Sequence, residues 1–114
     1  MTNDTFKMDK CPMTRTMAIL GSKWKPVIIY TVNKKHLRFG QLAAQMPLIS
    51  RKVLTDQLKE LEEDGILLRE AYNELPPRVE YSLTEKGLAL LPILQQMCEW
   101  NRQFEKHGEE CTAR

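Results

Sequence analysis

No stretch of this 114-residue sequence is apolar for more than a few residues. A helix needs roughly 20 such residues to cross a bilayer, so no membrane-spanning segment is expected. The opening residues Met1-Thr2-Asn3-Asp4-Thr5 lack the basic-then-apolar order of a secretory signal, and a cytoplasmic protein is the expectation. There is no internal repeat, low-complexity tract or Gly/Ser linker, which argues for one domain. Cysteine is scarce and odd in number: Cys11, Cys98 and Cys111. In a reducing compartment these read as free thiols rather than a disulfide framework. Enzyme signatures are missing too, with no Walker loop, no Gly-x-Gly-x-x-Gly and no zincin pair. Glu62-Glu63-Asp64 is a run at a helix end rather than a facing pair of carboxylates. His107, Glu110 and Cys111 are too few and too near the terminus to make a metal site. No catalytic residue, cofactor or metal is expected.

What is present is an ordinary globular composition, 42% hydrophobic and 28% charged. The net charge of +2 hides an uneven distribution. Residues 1–60 hold 11 Lys/Arg against 4 Asp/Glu, a balance of +7; residues 61–114 hold 6 against 11, a balance of −5. A basic front and an acidic rear suit a protein that meets a polyanion with one surface.

Flexible tails are expected over residues 1–10 and 108–114, flanking one domain over residues 11–107. Pro12 suits the first position of a helix carrying Met13, Met17 and Leu20, with Gly21 as its stop. Ser22 can cap a second helix, apolar on most sides and with Pro26 in its first turn. Phe39, Leu42, Ala43 and Met46 mark a short third helix, stopped by Pro47. After the turn Pro47-Leu48-Ile49, Ser50 caps a fourth helix lined by Leu54, Leu58 and Leu61 and closed by Gly65. The period then changes to alternation around residues 66–72 and 78–83, with Asn73-Glu74-Leu75-Pro76-Pro77 as a hairpin tip. Thr84 caps a long last helix, which Pro92 is expected to kink. The fold class is mainly α with a two-stranded β-hairpin (α+β): a winged helix-turn-helix with a long C-terminal dimerisation helix.

The fourth helix is charged against its own dipole, with Arg51 and Lys52 in its first turn and Glu62, Glu63 and Asp64 in its last. The arrangement sacrifices some helix stability and strengthens a positive N-terminus where free N–H groups already favour phosphate. Arg51, Lys52, Thr55 and Lys59 fall within an arc of ~100° facing away from the leucines. With Ser50 they form the candidate double-stranded DNA surface, Arg51 and Lys52 for base edges or nearby phosphates, Thr55 for a base or methyl group and Lys59 for a phosphate. The alternative is a solvated helix face. Arg78, behind the two prolines, suits a narrow minor groove; its alternative is a surface pairing with Glu74 or Glu80. Lys34, Lys35, His36 and Arg38 are further phosphate candidates. The last helix carries more apolar surface than its small domain can cover. Met13, Met17, Leu20, Leu94, Met97, Trp100 and Phe104 are therefore expected in a homodimer interface, the alternative being packing of the last helix onto Trp24 and Tyr30.

The sequence resembles the HxlR family of winged-helix bacterial regulators, related to the MarR type. The resemblance runs from Cys11-Pro12 to about Trp100. It is carried by Gly21-Ser22-Lys23-Trp24, Arg38-Phe39, Ile49-Ser50-x-Lys52-Val53-Leu54-Thr55, residues 58–65, Pro76-Pro77-Arg78-Val79-Glu80-Tyr81 and Leu83-Thr84. Pro26, Gly40 and the Lys34-Lys35 pair depart from the family pattern. The resemblance implies a homodimer on a palindromic operator, a repressor more often than an activator. It also implies a response to oxidants or electrophiles through Cys11, whose place at a helix N-terminus lowers its pKa. In some members a second cysteine near the C-terminus pairs with it across the dimer, and Cys111 lies in that region. A small-molecule or oxidant effector is thus an expected partner. The rival from another class is a winged-helix module that contacts only protein, through the acidic rear.

Overall fold

Helix signals and breakers divide the chain much as expected, in a computed structural model that describes residues 10–105. Both expected tails, apart from Lys10, lie outside the described residues, as do His107, Glu110 and Cys111. Helix α1 spans Pro12–Leu20 and follows Cys11 as its N-cap. Helix α2 spans Lys25–Val32, with Pro26 in the first turn, where the missing N–H costs no helical bond. The N-cap of α2 is Trp24, with no side-chain cap bond; Ser22, expected as the cap, stands two residues earlier and accepts a hydrogen bond from the Lys25 N–H at 3.0 Å.

Helices α3 (Phe39–Gln45) and α4 (Arg51–Glu63) form the helix-turn-helix, with Met46 and Pro47 ending the first. The Ser50 side chain accepts from the Val53 N–H at 3.1 Å, and Gly65 turns the chain out of α4 at φ 75°. Only glycine adopts that backbone without strain.

The sheet has three strands, one more than the hairpin expected. Strands β2 (Leu67–Tyr72) and β3 (Arg78–Leu83) pair antiparallel from Leu67 opposite Leu83 to Tyr72 opposite Arg78. The short β1 (Leu37–Arg38) adds to the other edge of β3, giving the order β1-β3-β2. Two residues are too few for alternation to register, which is why β1 escapes a reading by period.

The C-terminal segment also departs from expectation. Thr84 does cap a helix, accepting from the Gly87 N–H at 3.1 Å, but α5 runs only over Glu85–Leu88. The long helix α6 then begins at Leu91 and runs to Phe104, with Pro92 in its first turn. Pro92 starts a helix and does not kink one, because its missing donor is cheapest there. Gly87 lets α5 close on the sheet: a Cβ there would stand 2.4 Å from the Ile66 carbonyl oxygen.

One core lies under the helix-turn-helix and the sheet. Ile28, Ile29 and Val32 of α2 meet Leu42 and Met46 of the α3 side, Leu54, Leu58 and Leu61 of α4, and Ile66. Leu91 and Leu94 seat the start of α6 on it, and the Tyr30 hydroxyl donates to Gln95 Oε1 across α2 and α6.

Candidate nucleic-acid interface

Helix α4 has a buried leucine row and an outer face that is wholly solvent-exposed. Leu54, Leu58 and Leu61 are sealed in the core, while Arg51, Lys52, Thr55 and Lys59 are all exposed. No acid stands in the first turn and no base in the last, so the polarity opposed to the dipole is intact. The Thr55 hydroxyl donates back to the Arg51 carbonyl at 2.7 Å. Lys52 Nζ pairs with Asp56 Oδ2 at 3.0 Å, one helical turn on. Such an exposed pair is held weakly, so the ammonium is available for exchange onto a stronger anion. The Arg51 guanidinium stands 5.5 Å from the centre of the Phe39 ring on α3. That contact links the two helices of the motif and steers the side chain at the helix tip.

Two polar clasps that sequence reasoning missed fix α4 against the rest of the chain. The Ser22 hydroxyl donates to Gln57 Oε1 at 2.8 Å, and the buried Lys25 ammonium meets Glu60 Oε1 at 2.6 Å. Residues 22 and 25 are three apart, as are 57 and 60, so one turn of each segment faces one turn of the other. The spacing is in the sequence, but the pairing of the two segments is tertiary information.

Arg78 is engaged within the wing. Its guanidinium pairs with Glu74 and, through Nε at 3.1 Å, with Glu80, and it stacks 4.1 Å from the centre of the Tyr72 ring. Burial alone would lower the Arg78 pKa, but the two carboxylates outweigh it and hold it raised. The pairing weighed as the alternative is therefore present with both acids at once. Arg78 braces the hairpin tip, where Leu75 is almost fully exposed. Arg69, on β2, is an exposed cation of the wing that sequence reasoning did not single out. Arg38 is exposed at the start of α3, its N–H donating to Gln41 Oε1 at 2.8 Å. Lys34 and Lys35 are exposed in the turn that leads to it, and His36 Nδ1 lies 3.9 Å from Glu80.

Away from this face, Met13 and Met17 on α1 and Met97, Trp100 and Phe104 on α6 are exposed, as is Ile93, which sequence reasoning omitted. The Trp100 and Phe104 rings lie 5.9 Å apart. Leu20 and Leu94, both expected in a dimer interface, are each only 4% exposed. They pack in the chain's own core and drop out of the outer stripe.

Cys11 is a free thiol, half-buried at the N-cap of α1. Its pKa is lowered, first by the Thr14 backbone N–H and then by that of Met13, with burial opposing. Cys98 departs from expectation: it is half-buried on α6 but disulfide-bonded. Among the described residues, no group of three or more His, Cys, Asp or Glu is placed to hold a metal, and no helix is long and apolar enough to cross a membrane.

Proteins similar to this chain include transcriptional regulators. The sequence profile of the HxlR-like helix-turn-helix family matches residues 19–109. An HTH-type transcriptional regulator of Halalkalibacterium halodurans is 49% identical over 90 residues, which span 78% of this chain and 80% of that protein. A MarR-family transcriptional regulator of Porphyromonas gingivalis W83 superposes with a TM-score of 0.82 at 37% identity, over 89% of this chain and 99% of that one. The redox regulator HypR, in its reduced form, superposes at 0.77 with 44% identity, over 82% and 92% of the two chains. A profile match over most of the chain, joined to these relatives and to the winged helix itself, makes this protein a member of the HxlR-like family of helix-turn-helix transcriptional regulators.

Proposed function

We propose that this regulator binds double-stranded operator DNA as a homodimer, with α4 in the major groove. One observation carries the reading: the exposed face of α4 presents Arg51, Lys52, Thr55 and Lys59 around an N-terminus free of acids. Ser50, as N-cap, brings the helix tip and its free N–H groups toward a phosphate. Arg51 and Lys52 meet base edges or adjacent phosphates, Thr55 a base or thymine methyl, and Lys59 and Arg38 the backbone. Arg78 serves the wing by bracing it. A dimer on a palindromic operator acts most simply as a repressor, by occluding the promoter.

The decisive experiment is fluorescence anisotropy on DNA from upstream of the gene, run across a salt series. Affinity is expected to fall steeply with salt, because each neutralised phosphate releases counterions. Arg51→Ala is expected to cost about 1–3 kcal/mol, and Lys59→Ala to reduce the salt slope by roughly one. Wild-type affinity in both variants at low salt overturns the reading.

Control by thiol chemistry is part of the same proposal. HypR is a redox regulator of known reduced and oxidised structure, and Cys11 here is a free thiol with a lowered pKa. Once the chain has been reduced, so that the Cys98 disulfide is open, diamide is expected to cross-link two chains through Cys11 and the partner chain's Cys111, and to change DNA affinity. Non-reducing electrophoresis of the wild type and of Cys11→Ser and Cys111→Ser reads this directly. A wild type without cross-linked dimer overturns the disulfide route.

A further inference from the structure

One acid stands on α4 where the DNA-binding face otherwise carries cations. Asp56 is the sole acid among residues 51–59, and it is exposed. On helical geometry, the direction straight away from Leu54, Leu58 and Leu61 passes between Lys52 and Asp56, each within ~30° of it. These two side chains are therefore the most outward-facing in the first half of the helix. Helix stability does not account for the acid's place. At i,i+4 spacing the favourable order puts the acid first and the base second; here Lys52 comes first and Asp56 second. Nor does attraction to a polyanion, since a carboxylate held toward phosphates weakens binding to every duplex alike. A hydrogen-bond donor on the DNA would give it a use. In the major groove those donors are the amino groups of cytosine and adenine.

The spacing of the pair points further. Lys52 Nζ and Asp56 Oδ2 stand 3.0 Å apart, donor beside acceptor. Within a G·C pair the cytosine amino group and the guanine carbonyl oxygen are also joined by one hydrogen bond, at the usual ~2.9–3.0 Å. The two edges match in spacing and are opposite in sense. We propose that Lys52 and Asp56 together read one G·C base pair in each half-site: Nζ donates to the guanine carbonyl oxygen, and Oδ2 accepts from the cytosine amino group. An A·T pair fits less well. Its donor and acceptor are exchanged, so the ammonium would lie beside the thymine methyl and the carboxylate beside an adenine ring nitrogen, itself an acceptor. On guanine the ammonium instead finds that ring nitrogen as a second acceptor. Lys52 is thereby assigned to a base edge, and Asp56 gives up general affinity for sequence preference. The inference rests on the reading of α4 as the major-groove helix and deepens it.

The test begins with in vitro selection of duplex DNA by the full chain, wild type and Asp56→Ala. Position 56 is exposed and alanine favours the helix, so the variant is expected to fold. The wild-type motif is expected to hold a G·C position that the variant no longer selects, with the other positions unchanged. Anisotropy on the selected site then uses N4-methylcytosine at that position. This base still pairs with guanine, but a methyl group replaces the amino hydrogen that faces the groove. It is expected to weaken wild-type binding by about tenfold and Asp56→Ala binding by less than about twofold. On unrelated duplex the variant is expected to bind severalfold tighter than the wild type, because a carboxylate facing the phosphates is gone. The same motif from both proteins, or equal sensitivity of both to the methylated base, overturns the proposal and leaves operator binding standing. A wild type that selects no sequence overturns both.

Discussion

At Cys11 the sequence, the local backbone and the chemistry can be followed in one side chain. Pro12 opens α1, Cys11 becomes its N-cap, and the free N–H groups of Thr14 and Met13 then point at the sulfur. A thiolate so placed is stabilised relative to the thiol, so the folded pKa lies below the unfolded one. The thiolate form therefore favours the fold above the unfolded pKa, and this contribution fades as pH falls through the folded value. Alkylation of Cys11 by iodoacetamide is expected to lose rate on acidification at a lower pH in the folded chain than in urea. Coincident pH profiles for the two states would remove the acidified thiol. The Lys25–Glu60 pair stands at the opposite extreme of visibility: nothing local marks a lysine in an apolar helix as a partner for a glutamate 35 positions on. The two side chains differ in what carries their meaning, near backbone for the cysteine and distant packing for the lysine.

Among the elements, α4 shows most plainly a helix built against its own stability. Ser50 caps it, yet the position three residues on, where a glutamate would complete a capping box, holds the exposed Val53. Val53→Glu is expected to raise unfolding stability by about 0.5–1 kcal/mol, through the added cap and the dipole. It places a carboxylate in the first turn of the candidate recognition helix, so DNA affinity is expected to fall by about tenfold or more. Urea denaturation and anisotropy on one protein sample check both halves, and a variant that gains stability with no loss of affinity removes the α4 tip from the interface. Elements with strong local signals were legible from sequence: α4 from its cap and leucine row, the hairpin from alternation broken at Pro76-Pro77, α3 from Pro47. Elements decided by their neighbours were not. Strand β1 exists because β3 offers an open edge, and the break between α5 and α6 depends on α5 docking against Ile66, a contact Gly87 alone permits. The interface was legible to the same degree. The α4 face was readable as a pattern, whereas the burial of Leu20 and Leu94 and the clasping of Arg78 depend on where other segments pack.

For the whole molecule the question is what covers α6. The helix extends for 14 residues, about 21 Å at the usual rise, and only Leu91 and Leu94, near its start, are buried. Beyond them Met97, Trp100 and Phe104 are exposed, with no core among the described residues to enter, and Met13 and Met17 on α1 are in the same position. A two-fold pairing covers such a surface with itself, and a stable one buries on the order of 1,200–2,000 Å². In the proposed dimer the two α4 helices are expected to meet half-sites ~34–36 Å apart, one turn of DNA. Trp100 lies in the middle of the stripe and is two-thirds exposed (66%), so changing it leaves the chain's own core untouched. Trp100→Asp is expected to yield a folded monomer in sedimentation at concentrations where the wild type is a dimer. The wild-type melting temperature should rise with protein concentration, as mass action requires of a dimer, and that of the variant should not. On the operator, loss of the second subunit removes half the contacts, so a large drop in affinity should accompany the monomer. A Trp100→Asp protein that remains dimeric would move the interface elsewhere. A wild type that is already monomeric would leave the α6 stripe without the self-pairing that its exposed tryptophan and phenylalanine call for.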